Sequence, residues 1–293
     1  RRSEMGQLVF KLDPFGVTGD DSDSFNALDL FDDGAGDGYE SASALAELLV
    51  PDRAHLDPFW EQSARSLVAL LLLHVASARP PVLRNLSEVA YLLNQGMEDF
   101  SFTLKEMQKS KLDIVRRLAA GVTATEPKVM ASILSTAKAA TAIFNGQRFA
   151  ETSSMTSIPL DGIVRGDPIS IYLVLPPDKL ESHGRLLRLW IGGLMDQIFK
   201  RRHQVETPTL FILDEAAQLG TLHQLRRAIT LMRGYGLRTW SFWQDLSQLQ
   251  SLYPDWCTLF NNTRYVQTFG ATTHLLAESI ARLLRLPGEI DPL

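Results

Sequence analysis

The spacing of apolar positions changes character twice along the chain. Residues 8–13 (LVFKLD) are a short apolar run closed by Pro14 and Gly16, which predicts a strand. A Gly- and Asp-rich polar stretch follows to about residue 38. Residues 41–50 (SASALAELLV) then take helical spacing and stop at Pro51-Asp52. Asp57-Pro58 opens a long apolar helix over 59–78. Asp57 offers an N-cap oxygen, and Pro58 suits the first helical position, where its missing N–H is not needed. Pro80-Pro81 ends that helix. From 86 to 145 only helical periodicity is present, predicting helices over 86–94, 103–120 and 127–144, with Asn145-Gly146 closing the last. After residue 165 the apolar runs shorten again. Strands are predicted over 169–175, 209–214, 238–243 and 265–269, alternating with helices over 182–203, 222–233 and 273–284.

Strands that alternate with helices imply a parallel sheet covered by helices on both faces. The order α/β, all-α, α/β is explained most economically by one α/β domain, formed from 1–78 and 150–293, with an all-α domain inserted over 79–149.

Composition adds exclusions. The longest unbroken apolar run, 67–73, is far short of the roughly 20 residues that span a bilayer. The opening Arg1-Arg2-Ser3-Glu4 is no secretory signal. Cys257 is the sole cysteine, so an internal disulfide and a cysteine-based metal site are both excluded, and a reducing cytoplasm is the simplest compartment. The net charge of −5 argues mildly against nucleic-acid binding, yet nine acidic residues and no Lys or Arg fall within 13–40, leaving +4 elsewhere. That stretch reads as a solvated loop, and Lys200-Arg201-Arg202 as a solvated helix end. No two of the six histidines lie within five residues of each other; His74 reads as packed or capped in the core. Trp240 and Trp243 read as core packing and 153–157 as a loop.

The candidate chemistry sits in LFILDE. Four apolar residues make a buried parallel strand, and Asp214 and Glu215 sit at its C-terminal end, where open α/β sheets bind ligands. Phosphoryl transfer uses such a pair: one carboxylate on the Mg²⁺ shell, the other orienting or deprotonating water. An acidic helix N-cap is the plainer reading. One strand on, Gln244 ends WSFWQ at the same edge. Between them, residues 221–238 carry Arg226, Arg227, Arg233 and Arg238 without an acidic residue. Arg226 and Arg233 are seven apart and so lie nearly on one helical face.

Taken together, LFILDEAAQLG, LRRAITLMRGYGLR, WSFWQDLSQLQSLYPDW and NNTRYVQTFG resemble the Walker B-to-sensor region of the VirD4/TraG coupling proteins of type IV secretion and conjugation. FKLDPFG with SFNALDL, DPFWEQSARSLVALLLLHV and ISIYLVLPPDKL extend the resemblance over almost the whole chain. It implies a RecA-like P-loop NTPase with a mostly parallel sheet and an inserted all-α, substrate-selecting domain. The implied assembly is a hexamer anchored at the cytoplasmic face of the bacterial inner membrane. It uses ATP and Mg²⁺ and brings DNA, expected to be single-stranded, with its relaxase, or protein effectors, to the secretion channel. By position, Asp214 and Glu215 are the Walker B pair, with Asp214 holding Mg²⁺ through water. Gln244 is the sensor and Arg233 an arginine finger acting in trans. No DNA-contacting residue is singled out.

No G-x-x-x-x-G-K-[ST] run occurs in 1–293. The expectation is a fragment that does not bind ATP tightly by itself, lacks the P-loop strand, and exposes an apolar sheet edge. Two alternatives stay open: a FtsK/HerA-like DNA-translocating ATPase without a secretion role, and a non-catalytic docking module.

Overall fold

The computed structural model describes residues 2–19, 21–31, 38–51, 57–268 and 281. Strand β1 (Leu8–Leu12) leads through a short 3-10 turn (Ala27–Leu30) into helices α1 (Tyr39–Leu49) and α2 (Pro58–Ala78). Five helices follow: α3 (Leu86–Asn94), α4 (Met97–Met107), α5 (Asp113–Thr123), α6 (Pro127–Thr141) and α7 (Gln147–Thr152). After α8 (Leu160–Arg165) come β2 (Ile169–Leu173), α9 (Leu180–Phe199), β3 (Thr209–Leu213), α10 (His223–Thr230), β4 (Leu237–Ser241), α11 (Leu246–Leu252) and α12 (Trp256–Asn262).

All strand pairing among the described residues is parallel: β1 with β2, Leu8 opposite Ile169, and β3 with β4, Thr209 opposite Leu237. Helix α2 is the spine. Asp57 Oδ1 accepts from Phe59 N at 3.0 Å and starts it as expected. Its leucines are buried all round because α1 packs on one side and α3, α5 and α6 on another. Helix α9 packs against α1 and α10. Asn26 ties the segments on either side of the helical stretch together: its Nδ2 donates to Arg84 O at 2.7 Å, and its N donates to Thr156 Oγ1 at 2.9 Å. Residues 153–157 thus serve as a structural connection.

Several expectations need correction. The helix over 103–120 is two, α4 and α5. Ser110 Oγ accepts from Leu112 N, and Arg116 donates to the Ser110 and Lys111 carbonyls, so the break leaves few orphaned backbone groups. Residues 265–268 form no strand; Tyr265 and Val266 are exposed, and local apolarity without a partner strand does not make a ladder. Residue 269 and, Ala281 apart, the helix expected over 273–284 lie outside the described residues. Among the described residues, the β3–β4 sheet is covered on one face only. Leu213 and Leu237 are buried, whereas Leu210 (49 % exposed), Ile212 (57 %) and Trp240 (51 %) line the open face with Arg238. The LFILDE strand is therefore half-buried, and Trp240 is not core; it stacks on Phe242 at 5.2 Å. Arg201 is buried rather than solvated. In the acidic stretch, Asp13 is also buried, because its carboxylate accepts from Val17 N, Thr18 N and Thr18 Oγ1; these bonds hold its pKa below the ordinary value against the opposing effect of desolvation.

Candidate functional site

Strands β3 and β4 run parallel, so their C-terminal ends share one edge. Pairing continues beyond both strands. Phe242 N donates to Leu213 O at 2.9 Å and Ala216 N to Phe242 O at 3.0 Å, which draws the segment after β4 alongside the acidic pair. Glu215 has φ 51° and ψ 48°, the sole non-glycine with positive φ among the described residues. A left-handed non-glycine costs on the order of 1 kcal/mol, and such residues cluster at functional sites. Here the turn is held by that cross-strand bond and by the 3-10 turn Ala216–Leu219 that starts next to it.

The side chains meet at this edge. Gln244 Nε2 donates to Glu215 Oε2 at 3.0 Å. Gln248 Nε2 donates to Gln244 Oε1 at 3.3 Å, and Gln244 N donates to Gln248 Oε1 at 3.0 Å. The Gln244 amide is thereby oriented from behind by Gln248 and spends its own N–H on the carboxylate. Asp245 caps α11, accepting from Gln248 N at 3.0 Å; the Ser247 hydroxyl, and then that amide, hold its carboxyl below the ordinary value. Asp214 is exposed, and among the described residues nothing donates to its carboxylate, so it is free to take the water shell of a cation. Among the described residues no group of three or more His, Cys, Asp or Glu clusters as a metal site. Among the described residues the donor set fits an outer-sphere Mg²⁺ ligand and does not form a protein cage.

Glu215 and Gln244 thus meet at this edge, with Asp214 beside Glu215 in the chain. Arg233 does not join them. Its backbone lies in the 3-10 turn Met232–Tyr235, before β4 begins and so at the opposite edge of the sheet; its side chain lies outside the described residues. Five strand residues at about 3.3 Å each separate the two edges. Helix α10 ends at Thr230, so Arg226 and Arg233 do not share a helical face. Arg226 pairs with Asp255 at 2.7 Å, and Arg227 lies over the Phe199 ring at 4.5 Å.

Three residues escaped the sequence reading. Gln248 was legible in principle, since Asp-x-x-Gln before an apolar helix is a capping-box pattern. Arg188 is buried and donates to Leu48 O, Leu219 O and Thr221 O, fixing the segment that leaves the dyad. Tyr253 is buried, and its hydroxyl accepts from Leu222 N at 3.0 Å. Neither has a local sequence signal, because their partners are carbonyls and amides about 30 or more residues away.

No helix of the described residues is long and apolar enough to cross a membrane. The chain matches the family model for type IV secretory system conjugative DNA transfer over residues 1–284. It is 28 % identical over 266 residues to the conjugal transfer protein TraG of Agrobacterium fabrum, covering 86 % of this chain and 39 % of the relative. It is 24 % identical over 258 residues to the coupling protein VirD4 of Bartonella quintana, covering 85 % of this chain and 40 % of the relative. The chain therefore spans well under half of these relatives' length. Among solved structures, the conjugative coupling protein TrwB in complex with sulphate superposes with TM-score 0.67 at 16 % identity, over 88 % of this chain and 57 % of that one. TrwB bound to a non-hydrolysable ATP analogue gives 0.65 at 17 %, over 89 % and 63 %. At that identity the likeness carries the fold alone, which is RecA-like. With the family model matched from end to end of the described residues, the chain belongs to the type IV secretory system conjugative DNA transfer family, the VirD4/TraG coupling proteins.

Proposed function

We propose that this chain carries the acidic half of an ATP-hydrolysing motor that delivers DNA with its relaxase, or protein effectors, to a type IV secretion channel. The 3.0 Å bond from Gln244 to Glu215 carries the reading, because it brings the dyad and the strand-closing amide to one edge of the sheet. In this reading Mg²⁺, when bound with ATP, supplies charge neutralisation at the phosphates, and Asp214 holds its water shell. Glu215 orients the attacking water and takes its proton. Gln244, now donating to Glu215, exchanges that bond for one to the γ-phosphate side. Arg233, at the far edge, serves the site of the next subunit in a hexamer. The phosphate-cradling loop is contributed from outside residues 1–293. Residues 79–149 act as an inserted substrate-selecting module, and the assembly works at the cytoplasmic face of the inner membrane.

The test is ATP hydrolysis by the full-length protein. Glu215→Gln is expected to lower kcat by about 10²–10⁴ while ATP binding persists. Retention of wild-type turnover in that variant would remove Glu215 from catalysis and overturn this assignment, whereas absence of ATP turnover in the wild-type full-length protein would favour the docking-module reading.

A further inference from the structure

Arg201 lies two residues past the end of α9 and is 0 % exposed. Its Nε donates to Val164 O at 3.1 Å, and Nη2 donates to Ile163 O and to Thr209 Oγ1, both at 2.7 Å. Nη1 donates to Tyr235 O at 3.2 Å and Gly236 O at 3.5 Å. Every acceptor is neutral, so the buried charge is compensated by hydrogen bonds rather than by an ion pair. An apolar side chain would be cheaper to bury but would take the Arg201 bonds from Val164 O and Tyr235 O, whereas Ile163 O and Gly236 O also accept from Gly166 N and Thr209 N. The guanidinium thus joins the end of α8, the start of β3 and the last residues of the Met232–Tyr235 turn.

The same turn is gripped from a second side. Gly236 (φ +71°) and Gly166 (φ +86°) both face Val205, whose methyl groups occupy the space that a Cβ on either glycine would need. Hydrogen bonds from Arg201 and the Val205 wedge therefore fix Tyr235 and Gly236, where the turn ends, against β3 and α8. A residue that must reach a neighbouring subunit's site needs such a base, since a displacement of about 1 Å can cost about 10²-fold in rate.

We infer that Arg201 is a positioning residue that holds the turn carrying Arg233 in register for a neighbouring subunit's site. The inference rests on the reading of Arg233 as a finger in trans. Its test uses the full-length protein. Arg201→Lys keeps the charge and up to three donors but loses the planar fork. Its kcat is expected to fall about 10-fold or more with KM for ATP unchanged, the mark of an interaction made only in the transition state. Mixed with Glu215→Gln, it is expected to recover activity above the sum of the separate variants. In such mixtures Glu215→Gln subunits contribute an intact turn and Arg201→Lys subunits an intact dyad. An Arg233→Ala and Glu215→Gln mixture is run beside it. Failure of that control to recover removes the finger reading and this inference with it. Recovery in the control but not with Arg201→Lys overturns the inference alone. So does Arg201→Lys with wild-type kcat, a change confined to KM, or loss of the wild-type melting transition, which would make Arg201 plain core support.

Discussion

At the scale of single side chains, buried His74 and half-buried Asp196 set opposing dependences on pH. His74 is buried in α2, and neither ring nitrogen has a hydrogen-bond partner in the structure. Desolvation, assisted by Arg79 and opposed by Glu106, lowers its pKa from 6.5 to about 4. Between those values the unfolded chain takes up a proton that the native state refuses, so stability falls as pH drops from about 6.5 to about 4. Asp196 on α9 accepts from Gln224 Nε2 at 3.1 Å. Burial raises its pKa from 3.8 to about 6, against the Gln224 bond and the nearby Arg227 and Lys200, with Glu47 adding to the rise. Its native state holds a proton that the unfolded chain has released, so stability falls as pH rises through about 4 to 6, and the penalty stands in full above that. Asp196→Asn should therefore stabilise the protein at pH 7 by up to about 3 kcal/mol, with the gain vanishing near pH 4. His74→Leu should flatten the acid limb. Chemical denaturation across pH 4–8 checks both, and a pH-independent effect of Asp196→Asn would refute the assignment. His74 was legible as a core residue from its apolar surroundings. The raised Asp196 was not, because its environment is built by α10 and α1.

At the scale of elements, α9 shows how packing overrides propensity. Its Gly192 and Gly193 are poor helix formers, yet a Cβ at Gly192 would overlap Leu48 of α1, and one at Gly193 would lie 2.6 Å from Leu30 Cδ1. Alanine gains about 1 kcal/mol in intrinsic helix propensity over glycine. Overpacking costs about 1–3 kcal/mol, and here backbone of α9 meets side chains of α1 directly. Gly192→Ala is expected to destabilise by about 1–2 kcal/mol net. A thermal midpoint at or above that of the wild type would show that Leu48 yields freely. Helix starts fixed by local chemistry, such as Asp57-Pro58, were readable in the sequence. The break between α4 and α5 was missed because helical spacing runs through it, and only the Ser110 and Arg116 bonds mark it.

At the scale of the whole molecule, the open face of β3–β4 dominates. Leu210, Ile212 and Trp240 present a contiguous apolar surface that nothing among the described residues covers. Such a face drives association in water. Leu210→Lys with Ile212→Lys should reduce self-association and binding of a hydrophobic dye by residues 1–293 in isolation. Light scattering and dye fluorescence measure it; unchanged association would move the sticky surface elsewhere. The expectation of helices on both faces followed from strands alternating with helices, and the LFILDE run is indeed apolar on both sides. Whether each side meets a partner depends on what packs there, and residues 209–213 do not encode that.

Local pattern alone determined the kind of most main elements, the parallel pairing implied by alternation, and the placing of Asp214, Glu215 and Gln244 at or just after strand ends. Those properties depend on backbone period and on capping groups within a few residues. Tertiary structure decided the contact between Glu215 and Gln244, the left-handed turn at Glu215, the burial of Arg201 and the placing of the Arg233 turn at the far edge. Each of these is a meeting of segments distant in the chain, and only the folded packing sets it.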